Sequence, residues 1–239
     1  MQNGTLLQPD KPATPIDAMF SRALPYAPAG EVWQTHTTIG GRTWRYVLAV
    51  DLRAAFPLAR THLWPPPRAD ESYMVMGWHS RHECGSWSGA GSGSGCAELW
   101  PAQREFFQLR TAPIGDEHGF DLQVIAPIWW GLSGRGVALL GETAKITSVS
   151  PQRFAAVAAS GGDGDALAVE LRGAPGERVG LHFCTFQSRS APAVRHDMLV
   201  EIGLGGECLS PYHHFSVADV TWRVLTNSPI GRVADHRPS

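Results

Sequence analysis

Glycine and proline occur so often in this chain that most of its apolar runs are too short for a helix of ordinary length. The 239 residues include 26 glycines and 18 prolines, together with 9 tryptophans. Large aromatic side chains in short runs between glycine and proline turns are typical of β-strands. In the second half, turn signals recur about every 8–12 residues, the spacing of an all-β sandwich or barrel. The sequence therefore favours an all-β fold.

Short apolar stretches between turn residues predict the individual strands; among them, residues 119–125 alternate apolar and polar side chains, and residues 136–141 are an apolar run bounded by glycines. Residues 31–39 and 43–50 predict a hairpin around Gly40-Gly41, because glycine accepts the positive φ of a tight turn. Further strands are predicted at residues 73–79, 119–125, 127–130, 136–141, 146–149, 153–159, 166–172, 178–186, 197–203 and 217–224. A helix after Ser150-Pro151 is the alternative for residues 153–159. Strands do not alternate with helices, so we predict an antiparallel β-sandwich with long loops.

The predicted domain organisation has three parts. Residues 1–30 form an extended strap, because the three prolines in residues 9–15 fix φ and disfavour a helix at the residues before them. Residues 31–226 form one β-sandwich domain, and residues 227–239 form a solvated tail. Within the domain, residues 85–95 consist mainly of glycine and serine, which predicts an inserted mobile loop.

Charge and hydropathy exclude several classes of function. The 20 basic residues nearly balance the 22 acidic ones, so the chain lacks the electrostatic footprint of a nucleic-acid or membrane-surface protein. No apolar run approaches the ~20 residues of a membrane span, and the first residues lack the features of a secretory signal. Four cysteines in a chain of this length do not form a disulfide scaffold. We expect a cytoplasmic protein without a membrane or nucleic-acid partner.

The strap and several strands resemble one known family. In raffinose synthases and seed imbibition proteins, which are related to glycoside hydrolase family 36, a segment of the type D-G-S-L-L-R…P-x-x-P-T-x-D-x-L-F leaves the catalytic barrel for the C-terminal β-domain. Residues Asn3–Leu7 and Pro12–Phe20 are similar to that segment. Similarity to the strands of the family's β-domain continues, in the same order, through Glu31–Trp33, Pro127-Ile128, Gly136–Ile146 and Ala166–Phe183.

The resemblance implies a function for which this chain is one part. It implies the C-terminal β-domain of a glycosidase or galactosyltransferase that acts on α-galactosides, present as a fragment or a divergent remnant. The catalytic carboxylates then belong to a barrel upstream of Met1, a partner in cis or in trans, and the chain alone is expected to be inactive and to need no cofactor. An independent β-sandwich module that binds carbohydrate or another partner is the alternative.

Tryptophans are the candidate carbohydrate contacts. Trp129, Trp130, Trp87 and Trp100 carry rings of the kind that stack on sugars. Neighbouring residues of a strand point to opposite faces, so one member of the Trp129-Trp130 pair faces the core. For each of these residues core packing is the alternative, because an indole ring buries a large area.

Other constellations with catalytic or metal-binding chemistry are weak. His79, His82 and Cys84 are ligand types that zinc accepts, but no second pair of ligands completes a structural site, and we predict no bound metal. Glycoside hydrolysis requires two carboxylates about 5–9 Å apart. The acids of this chain fall mainly in turns, and no spacing selects Asp121 and Glu142, which lie nearer to strands, as such a pair. We therefore predict no catalytic residue.

Overall fold

The computed structural model describes residues 8–16, 30–52, 54–78, 97–109, 119–160, 166–202 and 208–209. Within these residues, one turn of 3-10 helix, Arg60–His62, accompanies fourteen strands: β1 (Thr14–Pro15), β2 (Glu31–Ile39), β3 (Arg42–Val50), β4 (Phe56–Ala59), β5 (Tyr73–Gly77), β6 (Glu98–Trp100), β7 (Phe106–Leu109), β8 (Phe120–Trp130), β9 (Gly136–Gly141), β10 (Phe154–Ser160), β11 (Ala166–Leu171), β12 (Arg178–Phe186), β13 (Val194–Ile202) and β14 (Cys208–Leu209). Among the described residues every strand pair is antiparallel, which confirms the predicted all-β fold. No helix in this part of the chain has the length and apolar content needed to cross a membrane.

Strand β8 connects the two layers of the sandwich. Its residues 120–125 pair with β3 and residues 123–127 pair with β5, while residues 128–130 pair with β9. Through β8 these strands belong to one hydrogen-bonded sheet of ten strands, whose first layer contains β1, β2, β3, β5 and β6 and whose second layer contains β9, β12, β13 and β14. Strands β10 and β11 form a separate hairpin, and β4 and β7, which are not consecutive in the chain, form a separate two-stranded sheet. A strand that passes from one sheet to the next is a known way to make the corner of a sandwich.

The main core lies where the two layers and the β10–β11 hairpin meet. Trp44 on β3 is fully buried, and its indole N–H donates to the carbonyl of Leu139 on β9 over 2.7 Å. The hydroxyl of Tyr46 donates to the carbonyl of Val149 and accepts from the amide of the same residue. Because burial strongly raises the pKa of Tyr46, the phenol stays protonated and keeps both bonds. These polar contacts fix the spacing of elements that otherwise meet through apolar side chains.

A second core covers the opposite face of the first layer. Its strand residues come from β2, β3, β5, β6 and β8 of the layer and from the two-stranded β4–β7 sheet that covers them. Val47, Ile125 and Tyr73 belong to the layer, whereas Leu58 and Phe107 belong to the β4–β7 sheet. Both faces of the first layer are therefore buried over part of their area. This burial explains why the sequence of β8 is an almost continuous apolar run.

The described part of the strap, Gln8–Ile16, lies along the edge of β2. Thr14–Pro15 pairs with Trp33 and Gln34, and the carboxylate of Asp10 accepts a hydrogen bond from the amide of Thr38 over 2.6 Å. Ile16 is 2% exposed and belongs to the second core. The strap therefore supplies the outermost strand of the first layer.

The predicted strand at residues 146–149 is wrong. The chain turns at Gly141, where φ is +78°, and the amide of Glu142 then bonds to the carbonyl of Ser148 over 2.8 Å. Ile146 is 67% exposed, and the backbone of Val149 bonds to Tyr46 instead of a neighbouring strand. The apolar residues of this segment thus do not lie on one face of a sheet.

Other predicted elements have mixed outcomes. Strand β10 confirms the strand interpretation of residues 153–159 over the helical one, and the Gly40-Gly41 turn joins β2 to β3 with positive φ at both glycines. Strands β4, β6 and β7 were not predicted. The glycine–serine loop, the predicted strand at 217–224, the tail and residues 1–7 and 17–29 of the strap lie outside the described residues.

Candidate functional site

Buried polar side chains collect on the face of the first layer that carries the second core. Strand alternation places Gln34, Arg45 and Tyr73 on this face, from β2, β3 and β5. Arg45 is 1% exposed and Tyr73 is 0% exposed. Polar groups as deeply buried as these require hydrogen-bond partners. Several of those partners lie in residues 60–68, which follow β4 and which we call the Trp64 loop.

Two buried side chains bind the backbone of the Trp64 loop. The amide nitrogen of Gln34 donates to the carbonyl of His62 over 2.7 Å, and its amide oxygen accepts from the N–H of Trp64 over 2.9 Å. A guanidinium nitrogen of Arg45 donates to the carbonyl of Pro65 over 2.7 Å. The backbone is therefore held two residues before Trp64, at Trp64 and directly after it.

An ionic network connects Arg60, the first residue of the loop, to Glu71, which lies beyond the last residue of the loop. The carboxylate of Glu71 accepts from the Tyr73 hydroxyl over 2.6 Å and from Arg42 over 3.0 Å. Arg60 donates to the carbonyl of Glu71 over 2.6 Å. The guanidinium groups of Arg45 and Arg60 lie 5.3 and 5.2 Å from the centroid of the Tyr73 ring, within the range of a cation–π interaction.

Burial shifts the pKa values within this network. Desolvation raises the pKa of Tyr73, so its phenol remains protonated and donates to Glu71. Desolvation also lowers the pKa of Arg45, and the nearby phenol and carboxylate oppose that shift. The members of the network bond to one another and to the loop backbone, and their combined effect is to fix the conformation of the Trp64 loop.

Trp64 is the side chain that this arrangement presents at the surface. It is 60% exposed, whereas Trp44 and Trp100 are fully buried. The three prolines that follow, residues 65–67, each restrict φ. Leaving an indole ring exposed forgoes a large hydrophobic gain, so the ring offers a strong apolar contact to any ligand with a matching flat surface. The geometry thus provides an exposed indole ring on a backbone that buried side chains hold in place.

The structure places the two adjacent tryptophans on opposite faces of β8. Trp129 is 5% exposed, and its ring centroid lies 5.6 Å from that of Trp44 in the main core. Trp130 is half-buried, with its ring centroid 5.4 Å from that of Phe186 and the guanidinium of Arg189 5.1 Å above it. Trp129 therefore presents no open ring face to a sugar, and Trp130 is partly covered by neighbouring side chains.

The remaining predicted candidates are two tryptophans and the weak metal ligands. Trp100, as noted, is a core residue, and the following lie outside the described residues: Trp87, His79, His82 and Cys84. Among the residues that the structure describes, no three histidine, cysteine or acidic side chains come together as a metal site. No predicted site residue thus lies in the Trp64 loop.

Both carboxylates that are buried in the described ranges are bound by arginine. Glu71 is bound by Arg42, and Glu142 accepts from the Nε of Arg153 over 2.9 Å. A glycosidase needs two carboxylates that flank a substrate cleft. Each of these acids instead neutralises an arginine within the fold, which is a structural use of the charge.

Sequence reasoning missed Trp64, although the sequence contains a signal for it. Trp64 directly precedes three consecutive prolines, and such a stretch can neither continue a helix nor pair within a sheet. A large apolar residue next to it is therefore a candidate for exposure on a loop. Comparison with known proteins adds no information on this point, since no protein-family model, curated protein or solved structure matches the chain.

Proposed function

We propose that the chain is the C-terminal β-sandwich domain of a raffinose synthase-like or α-galactosidase-like glycoside hydrolase. In this role it supports a catalytic barrel carried on the same or on another polypeptide. The resemblance of the strap and of the strands through Phe183 supports the family, and the α-galactoside class of the substrate follows from the family. The two-layer all-β fold is consistent with the role of such a domain.

The attachment of the strap is the observation that carries the proposal. One end, at Ile16, is buried in the second core, and the other end, at Gln8, bonds to the side chains of Ser150 and Gln152. A segment that fixes the relative orientation of two domains must itself make contacts with each of them. The strap is held on this body along its whole described length, as a barrel-to-domain connection requires.

The pairing of the buried acids gives further support. Glu71 and Glu142 are both committed to arginines, so within the described residues they are poor candidates for an acid/base pair. The proposal assigns acid/base catalysis to the barrel and structural support of the barrel to this domain.

Expression of the longest polypeptide that reads in frame through the Met1 codon tests the proposal. We expect that this polypeptide, or a protein that co-purifies with the chain, hydrolyses p-nitrophenyl α-galactoside or transfers its galactosyl group. The matched control is the same preparation with p-nitrophenyl α-glucoside. If neither the extended polypeptide nor any co-purifying protein acts on the α-galactoside, the proposal is wrong.

An independent carbohydrate-binding module is the second candidate, and the exposure of Trp64 favours it. Such modules bind sugars through aromatic rings that are held in place before the ligand arrives. This candidate predicts that the chain binds sugar without any barrel. Sugar binding by the chain, combined with no α-galactoside activity in the extended polypeptide, would decide for the module.

A further inference from the structure

We infer that the Trp64 loop is a carbohydrate subsite in which the indole ring of Trp64 stacks on the pyranose ring of an α-galactoside. The class of the sugar rests on the proposed function, whereas the position of the subsite rests on the exposure and the fixation of Trp64. The subsite is distinct from the adjacent tryptophans of β8, which pack on other side chains.

The first argument for the subsite is the fixation of the loop backbone. Gln34 donates to the carbonyl of His62 and accepts from the N–H of Trp64, and Arg45 donates to the carbonyl of Pro65. Leu63, directly before Trp64, is 2% exposed in the second core. The backbone of this segment therefore loses its conformational entropy when the chain folds, so that loss does not weaken the binding of a ligand to Trp64.

The second argument is that two buried polar side chains of the first layer bind the backbone of this loop. Gln34 and Arg45 occupy core-facing positions where apolar side chains would pack without any need for partners. Both hydrogen bonds of the Gln34 side chain go to the backbone of the Trp64 loop, and Arg45 bonds to the carbonyl of Pro65 as well as to the Tyr73 hydroxyl and the carbonyl of Thr43. One result of burying these two groups is therefore a defined backbone conformation at an exposed aromatic residue.

The third argument is the complementarity between an indole and galactose. The axial hydroxyl at C4 of galactose leaves the C–H groups of C3, C4 and C5 on one face of the ring, where they form an apolar patch. An indole is flat, apolar and electron-rich on its face, so it covers such a patch with a gain in buried area. Thr61, Arg68 and Asp70 are exposed on the same stretch of chain and carry the donors and acceptors that sugar hydroxyls require.

Other exposed apolar residues do not offer the same surface. Leu132 is 89% exposed in the turn after β8, and Ile146 is 67% exposed in the loop after β9. Both are aliphatic and branched, and neither has a flat face. Their backbones also lack the bonds from buried side chains that fix Trp64. They are therefore suitable negative controls for non-specific apolar binding.

The test is a titration of the full chain, labelled with ¹⁵N, followed through the indole N–H resonances of its tryptophans. The probes are methyl α-galactoside and raffinose, with methyl α-glucoside as the stereochemical control. We expect Trp64→Ala to weaken α-galactoside binding at least about tenfold, as truncation of an aromatic anchor does. Trp64→Phe retains an aromatic face and should keep part of the affinity. The matched control is Trp33→Ala, which removes a half-buried indole that bonds to Glu31 elsewhere on β2.

Each other outcome contradicts the subsite. Unchanged affinity in Trp64→Ala places the sugar elsewhere, and equal loss in Trp33→Ala attributes the effect to general destabilisation. Equal affinity for the α-glucoside contradicts the assigned sugar class. Absence of binding to the unsubstituted chain also overturns the subsite, but leaves the barrel-supporting role standing, because that role is judged by the activity of the extended polypeptide. The exposed ring makes little contribution to the core, so Trp64→Ala should unfold at nearly the same urea concentration as the unsubstituted chain.

Discussion

Arg153 shows how a single buried side chain joins three segments of this fold. Its guanidinium donates to Glu142, which follows β9, and to Glu177, in the turn before β12. It also donates to the carbonyl of Arg172, over 2.6 Å. Burial alone lowers the pKa of Arg153, but the hydrogen bond to Glu177 and the attraction of both carboxylates outweigh burial and raise it. The guanidinium therefore remains charged and keeps both acids paired.

Removal of this charge should be costly. Arg153→Met leaves the carboxylates of Glu142 and Glu177 without their partner, and we expect a loss of about 3 kcal/mol in the free energy of unfolding. Urea denaturation measures this loss. The matched control is Arg178→Met, because the pair between Arg178 and Glu201 is 69% and 39% exposed and should contribute less than about 1 kcal/mol. Equal losses in the two variants would show that the Arg153 bridges do not stabilise the fold.

The residues of the candidate site were harder to predict than the strands that carry them. Alternation correctly requires Trp129 and Trp130 to lie on opposite faces, but it does not say which face another layer covers. The exposure of Trp64 depends on Gln34 and Arg45, which lie 30 and 20 residues away from their partners in the loop. Local sequence patterns hold no information on such contacts, so this part of the site emerges only from tertiary structure.

At the scale of the element, the strap behaves as part of the sandwich. It pairs with β2, and Ile16 contributes to the second core. We expect Ile16→Ala to lower the free energy of unfolding by about 2–4 kcal/mol, the usual cost of a cavity left by a buried isoleucine. The control is the same substitution at Ile146, which is 67% exposed and should change stability by less than about 0.5 kcal/mol. A strap that lies loosely on the surface would give equally small losses at both positions, as urea denaturation would reveal.

The strands themselves were predictable where a strong turn signal or an alternating pattern accompanies enough residues. Strands β2 and β3, of nine residues each, flank the Gly40-Gly41 turn, and β12, also of nine residues, alternates Val179, Leu181 and Phe183 with smaller or polar residues. Strands β4, β6 and β7 have four, three and four residues, too few to display a period. The strand predicted at residues 146–149 does not form, for a different reason. The chain turns at Gly141, and the backbone of Val149 bonds to the hydroxyl of Tyr46 instead of to a neighbouring strand.

At the scale of the whole molecule, pH should control stability through four side chains whose pKa values the fold lowers. Burial lowers the pKa of His36 and of His196 below the usual value of 6.5. The hydrogen bond from Arg153 lowers the pKa of Glu177. Burial raises the pKa of Asp197, but hydrogen bonds from two neighbouring basic side chains outweigh it and the net shift is downward. In all four cases the folded state binds a proton less readily than the unfolded state does.

The direction of the pH dependence follows from these shifts. When a folded-state pKa is lowered, the unfolded chain takes up the proton first as the pH falls, and the folded state loses relative stability. For the histidines this contribution is fully present above about pH 6.5 and decreases as the pH falls from there toward their folded values. For Glu177 and Asp197 it is present above about pH 4, the ordinary range of the carboxyls, and is lost below that value. Stability should therefore fall in two separate windows.

Urea denaturation at a series of pH values from about 8 to about 3 resolves the two windows through the slope of the unfolding free energy against pH. Replacing both His36 and His196 by glutamine should flatten the slope between about pH 6.5 and 5 and leave the acidic window unchanged. Glu177→Gln should instead reduce the slope below about pH 4 and leave the slope between about pH 6.5 and 5 unchanged, because it removes a carboxyl and keeps both histidines. If stability instead increases as the pH falls through the upper window, the buried histidines are stabilised in their charged forms, and the assignment of burial as the dominant cause is wrong.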